Sequence, residues 1–63
     1  MPIVDVTLLS GRTEEKKRTL IRELTDAVVR SLDAPPQSVR VVLREVDPGH
    51  FAVGGVTKAE SNS

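Results

Sequence analysis

Residues 13–32, TEEKKRTLIRELTDAVVRSL, decide the fold. Thr13 is a good helix N-cap, and Glu14 and Glu15 stand where the helix dipole favours negative charge. Leu20, Leu24, Ala27, Val28 and Leu32 then recur at spacings of three and four, and Ile21 widens the apolar stripe. Lys17, Arg18, Arg22, Asp26 and Arg30 lie largely off that stripe and read as a solvated face. Asp33-Ala34-Pro35-Pro36 ends the helix, because neither proline can donate and Pro35 biases Ala34 away from helical angles. The result is one amphipathic helix of about 18 residues.

Outward from the helix, both flanks read as strands. Ile3 to Leu9 (IVDVTLL) is rich in β-branched and aliphatic residues. Val4, Val6 and Leu8 face one way and Ile3, Asp5, Thr7 and Leu9 the other, so both faces are at least half apolar, as in a strand covered on two sides. Ser10-Gly11-Arg12 breaks it. On the far side, Pro36-Gln37-Ser38 reads as a tight turn and Val39 to Val46 (VRVVLREV) as the second strand. Strand, helix, strand is a βαβ unit with parallel strands and a right-handed crossover. Asp47-Pro48-Gly49 is a turn signal. Phe51-Ala52-Val53 suits a short strand or hairpin arm, Gly54-Gly55 a further turn, and Lys58 to Ser63 a mobile polar tail. The expected architecture is a single α/β domain over residues 1–63, with 56–63 as a flexible tail.

A chain of 63 residues without Cys, Trp or Tyr, and with one Phe, has neither disulfide staples nor a large aromatic core. A domain this small buries only about 60% of its unfolded surface. One helix covers one face of a two-stranded sheet, and the other face needs further subunits, so a homo-oligomer is expected. Nine basic and nine acidic residues spread through the chain argue against nucleic acid or an anionic membrane as the main partner. There is no apolar run of membrane-spanning length and no signal-peptide pattern, so the expected location is the cytoplasm.

Three residues suggest chemistry. Removal of Met1 would make Pro2 the N-terminus, a secondary amine with a reference pKa of about 8 that nearby cations would lower. Arg12 and Arg40 are the candidate cations, and each can grip a carboxylate through its planar guanidinium fork. Proline after an initiator Met favours its removal. The plainer readings are an edge-strand proline, a solvated loop arginine and an interface ion-pair arginine. Along a strand at about 3.3 Å per residue, Pro2 and Arg12 lie some 25–30 Å apart, so Arg12 does not reach its own Pro2. If two first strands pair antiparallel about a twofold axis, Arg12 of one chain approaches Pro2 of the other. Arg40 opens the second, parallel strand and so starts at the Pro2 end.

A family resemblance rests on these residues and several more. Pro2 directly after Met1, Leu9-x-Gly11-Arg12, Thr19-Leu20-Ile21-Arg22-Glu23, Ser31-Leu32-Asp33-Ala34-Pro35, Ser38-Val39-Arg40-Val41, Gly49-His50-Phe51 and Gly54-Gly55 occur in order. In this pattern, from Pro2 to about Gly55, the chain closely resembles 4-oxalocrotonate tautomerase and the short-chain tautomerases. The resemblance implies a βαβ unit with a C-terminal hairpin, assembled as a hexamer from three dimers, working without metal or cofactor. It implies enol–keto isomerisation of 2-hydroxymuconate-like dienols, as in aromatic-compound degradation. Pro2 resembles the general base, and Arg12 the partner's clamp on the distal carboxylate of a small unsaturated 2-hydroxy or 2-oxo dicarboxylate. Arg40 resembles the arginine, from a further subunit, that binds beside the reacting carbons. Phe51 and Leu9 resemble the apolar walls of the pocket. His50 has no catalytic counterpart, and Arg44 and Glu45 read as residues able to pair across subunits. Dehalogenase relatives carry a glutamate shortly after the position of Phe51, where this chain has Ala52, Val53 and Gly54. A silent ligand-binding subunit is the other alternative, and a retained Met1 would favour it.

Overall fold

The computed structural model describes residues 1–61. Strand β1 (Ile3–Leu9) leads into helix α1 (Glu14–Leu32), and strand β2 (Arg40–Val46) returns beside β1. The two strands are parallel, in register from Ile3 opposite Arg40 to Leu9 opposite Val46. The Thr13 hydroxyl caps α1 by accepting from the Lys16 N–H at 3.1 Å. At its other end Asp33 takes the left-handed conformation, φ 56°. Pro36–Ser38 form a single 3-10 turn before β2 begins.

The sheet register sorts side chains onto two faces. Val4, Val6 and Leu8 of β1 and Val41 and Leu43 of β2 lie on the helix side and are half-buried. The opposite face carries Ile3, Asp5, Thr7 and Leu9 beside Arg40, Val42, Arg44 and Val46, and no element among the described residues covers it. No described residue is fully buried, and Ile3 remains 65% exposed. The radius of gyration is 14.8 Å over extents of 43 × 24 × 14 Å. A compact chain of this length would have about 10.6 Å. The chain is a thin slab whose apolar residues have too few partners of their own.

Two charged side chains, Lys17 and Arg44, tie elements of the chain together. Lys17 was expected on the solvated face of the helix. Its side chain is only 15% exposed and bridges Glu14 at 2.8 Å and Glu45 at 3.0 Å, tying the first turn of α1 to the end of β2. A long aliphatic stem lets a lysine cover apolar surface while its ammonium stays solvated. Arg44 grips Asp5 from the neighbouring strand through Nε at 2.9 Å and Nη2 at 3.0 Å. Arg44 and Glu45 therefore pair within their own chain rather than needing another subunit.

The C-terminal segment departs from the expected tail. After a 3-10 turn at Pro48–His50, strands β3 (Ala52–Val53) and β4 (Val56–Thr57) form an antiparallel hairpin, followed by a helical turn, α2 (Lys58–Ser61). Gly54 and Gly55 make the two-residue loop at φ 62° and 86°, the doubly left-handed geometry that such a hairpin demands. Thr57 and Glu60 then lock α2 reciprocally. The Glu60 carboxylate accepts from the Thr57 hydroxyl at 2.8 Å and from its N–H at 3.2 Å, while the Glu60 N–H donates back to the hydroxyl at 3.1 Å. This is a capping box, and Thr57-x-x-Glu60 was its overlooked signal. The rest of the expected tail, residues 62 and 63, lies outside the described residues.

Candidate active site

Pro2 and Arg40 meet at the N-terminal end of the sheet. The backbone N–H of Arg40 donates to the carbonyl oxygen of Pro2 at 2.9 Å, which extends the β1–β2 ladder by one bond. The Arg40 side chain stands on the uncovered face, where Nη1 donates to the carbonyl of Gln37 at 2.8 Å. That bond uses one of five guanidinium donors and leaves a carboxylate-binding edge free. Pro2 is half-buried, and Met1 ahead of it is 80% exposed. With Met1 attached, the Pro2 nitrogen is an amide and cannot accept a proton.

Leu9, Arg12 and Phe51 all stand at or follow the C-terminal end of the sheet, away from Pro2. Leu9 closes β1, and Arg12 follows after the Ser10-Gly11 break, its Nη1 reaching back toward the Leu9 carbonyl at 3.4 Å. Phe51 follows the turn that ends β2, and its carbonyl accepts from the Lys58 N–H at 2.8 Å. Phe51 is 45% exposed and lines a depression of about 230 Å³ with Val53, Val56, Lys58 and Ser61. The sequence reading missed these last four as lining residues, because it took their segment for a tail or a plain hairpin arm.

A single chain thus brings the five candidates together in two groups, not one. The seven residues of β1 separate the groups by roughly 20 Å, more than a small diacid spans. The electrostatics differ between the arginines. Among the described residues neither Arg12 nor Arg40 forms an ion pair, whereas Arg44 is engaged by Asp5, whose hydrogen bonds and charge raise the Arg44 pKa further. Cations left without a carboxylate partner are available to a carboxylate ligand. His50 is exposed, with its N–H donating to the Asp47 carbonyl at 2.7 Å, and stands in a turn.

Residues 2–61 match the family model described as tautomerase enzyme. A 2-hydroxymuconate tautomerase of Pseudomonas putida is 54% identical over 55 residues, covering 87% of each chain. Among solved structures, one from the 4-oxalocrotonate tautomerase isozymes of Methylibium petroleiphilum superposes with a TM-score of 0.91 at 44% identity, covering 97% of this chain and 95% of that one. A heterohexamer 4-oxalocrotonate tautomerase from Chloroflexus aurantiacus gives a TM-score of 0.89 at 40% identity, covering 95% and 97%.

Proposed function

Because the chain belongs to the tautomerase family, we propose that it is a cytoplasmic, cofactor-free isomerase that converts 2-hydroxymuconate-like dienols to 2-oxo acids, with Pro2 as its general base. The division of the candidate residues between the two ends of the sheet carries this reading. It is the arrangement expected of a site completed between chains. Among the described residues the outer edge of β1 has no strand beside it. Antiparallel pairing of two β1 edges about a twofold axis would bring Leu9, Arg12 and Phe51 of one chain toward Pro2 of the next. Three such dimers give the hexamer that the family resemblance implies, with a further subunit supplying Arg40.

The chemistry follows from the residue types. After loss of Met1, Pro2 is a neutral secondary amine that the neighbouring arginine cations keep from protonating early. It accepts the 2-hydroxyl proton, the O–H electrons form the 2-oxo group, the double bonds shift, and the proton returns at carbon 5. Nothing is oxidised or reduced. Arg40 stabilises the charge that develops on the dienolate oxygen, and Arg12 holds the distal carboxylate. Phe51 and Leu9 exclude water, which strengthens both electrostatic contributions.

Intact mass and activity test the reading together. The purified protein should lack the mass of Met1 and isomerise a 2-hydroxy-dienedioate. A Met1-free protein that leaves the dienol unconverted would overturn the isomerase reading. Retained Met1 with diacid binding but no turnover would make the chain a silent ligand-binding subunit.

A further inference from the structure

We propose that Lys58 is a specificity-determining residue of the site, holding the far carboxylate of substrates whose unreactive end is too long for the Arg12 clamp. The inference rests on the isomerase reading, in which Phe51 is a wall of the active site. It goes beyond that reading by extending the substrate class to chain-lengthened diacids.

The hairpin builds the subsite from alternate residues. Val53 lies opposite Val56 in the β3–β4 ladder, and Ala52 lies opposite Thr57. One step further out, the Lys58 N–H donates to the Phe51 carbonyl at 2.8 Å. Side chains two apart on a strand share a face, and so do residues directly opposite across a ladder. Phe51 and Val53 of one arm therefore stand with Val56 and Lys58 of the other, and these four line the depression together with Ser61. The other face carries the small or polar pair Ala52 and Thr57. Val53 is 73% and Val56 49% exposed, so the wall is apolar and open to a ligand. Its volume of about 230 Å³ is below the roughly 300–1,000 Å³ of drug-sized sites and suits a short carbon chain.

Charge makes the subsite selective. Lys17 is neutralised by Glu14 and Glu45, and Arg44 by Asp5, whereas Lys58 forms no ion pair among the described residues. The acid nearest to it in sequence, Glu60, is committed to the hydroxyl and N–H of Thr57. Residues two apart on a helical turn do not face each other, so Glu60 does not answer Lys58. A lysine beside apolar side chains lays its stem along them and keeps its ammonium at the wet rim. An apolar wall with an unanswered cation at its rim selects an apolar chain that ends in an anion. Arg12 does not line this depression, so the two cations suit ligands of different length.

The test compares the unmodified chain with Lys58→Met, which keeps the stem and removes the charge, and with Lys58→Arg, which keeps the charge. The substrates are a 2-hydroxy-2,4-dienedioate, its homologue lengthened by two methylenes at the unreactive end, and the matching lengthened monoacid. Lys58→Met should raise KM for the lengthened diacid about fivefold or more, as loss of a charge-assisted contact does, with kcat little changed. The other two substrates should stay within about twofold, and Lys58→Arg should restore the lengthened diacid. Calorimetric binding of suberate against octanoate reads the same contact without turnover. Suberate should bind the unmodified chain more tightly than octanoate, and Lys58→Met should abolish that preference. A chain that converts none of the dienols would sink the isomerase reading, and the calorimetry would then decide the role of Lys58 alone. Equal losses on the lengthened monoacid and diacid, an unchanged KM for the lengthened diacid, or a suberate preference that survives Lys58→Met would each overturn the proposal.

Discussion

The carbonyl oxygen of Pro2 accepts the backbone N–H of Arg40 at 2.9 Å, so within one chain the proposed base and the arginine proposed to serve a neighbouring subunit's site share a ladder bond at the mouth of the sheet. Their relative position is set by backbone, not by side-chain rotamers. Substitution of either side chain should therefore test chemistry without dislodging the other residue.

Pro2→Ala, with its Met1 removed, should lower kcat/KM for a dienol diacid by about 10²-fold or more, as loss of a general base does. Alanine suits the strand start, so the assembly should survive. Steady-state kinetics decide, and a loss below about tenfold would remove Pro2 from the role of base.

The two arginines should separate by role. Arg12→Ala removes a clamp on the distal carboxylate and should mainly raise KM for a diacid, with little effect on the matching monoacid. Arg40→Ala should lower kcat as well, because its interaction strengthens as charge develops on the substrate oxygen. Equal losses on diacid and monoacid for Arg12→Ala would contradict the distal role. An unchanged kcat for Arg40→Ala would leave Arg40 as a binding or interface residue.

Glu45→Gln should destabilise the chain more than Glu14→Gln. Both glutamates reach the Lys17 ammonium, but Glu45 is 38% exposed and joins the sheet to the helix, whereas Glu14 is 77% exposed and lies within the helix. Both bonds raise the Lys17 pKa, so their stabilisation is complete below the free lysine value and fades as pH climbs through the higher folded one. Thermal unfolding of both variants at one protein concentration checks the order, which would reverse if the link between helix and sheet contributed nothing.

The C-terminal turn should loosen in acid. The Thr57 hydroxyl and N–H lower the Glu60 pKa from its usual 4.5, so the stabilisation is present above that value and lost as pH falls through the depressed one. Amide exchange at Glu60 should then accelerate beyond the intrinsic pH trend. Thr57→Ala should show weak protection already at neutral pH and no acid step. An unaltered exchange profile in Thr57→Ala would mean that the capping box does not hold α2.

The βαβ unit was legible because its signals are local. Thr13, the stripe from Leu20 to Leu32 and the prolines at 35 and 36 mark the helix, and valine-rich runs mark the strands. The C-terminal segment was harder to read, because polar residues that resemble a tail, Lys58 to Ser61, also make a capped helical turn. Lys17 was misjudged for a different reason. Helical periodicity shows that a residue lies off the apolar stripe, but not that a strand 28 positions later brings Glu45 to it. The opposing positions of Pro2 and Arg12 could be deduced from strand length, since both flank one seven-residue strand. The lining contributed by Val53, Val56, Lys58 and Ser61 required the hairpin itself.

The proposed site, assembled from opposite ends of different chains, would have a genetic consequence. Damage to it is inherited by end, not by chain. A subunit carrying Arg40→Ala and another carrying Arg12→Ala each impair every diacid site of their own homo-oligomer, yet co-assembly would gather some intact sites from the undamaged ends. Complementation of this kind lets a duplicated copy lose one end while its sibling keeps it, a route by which two unequal subunits come to depend on each other.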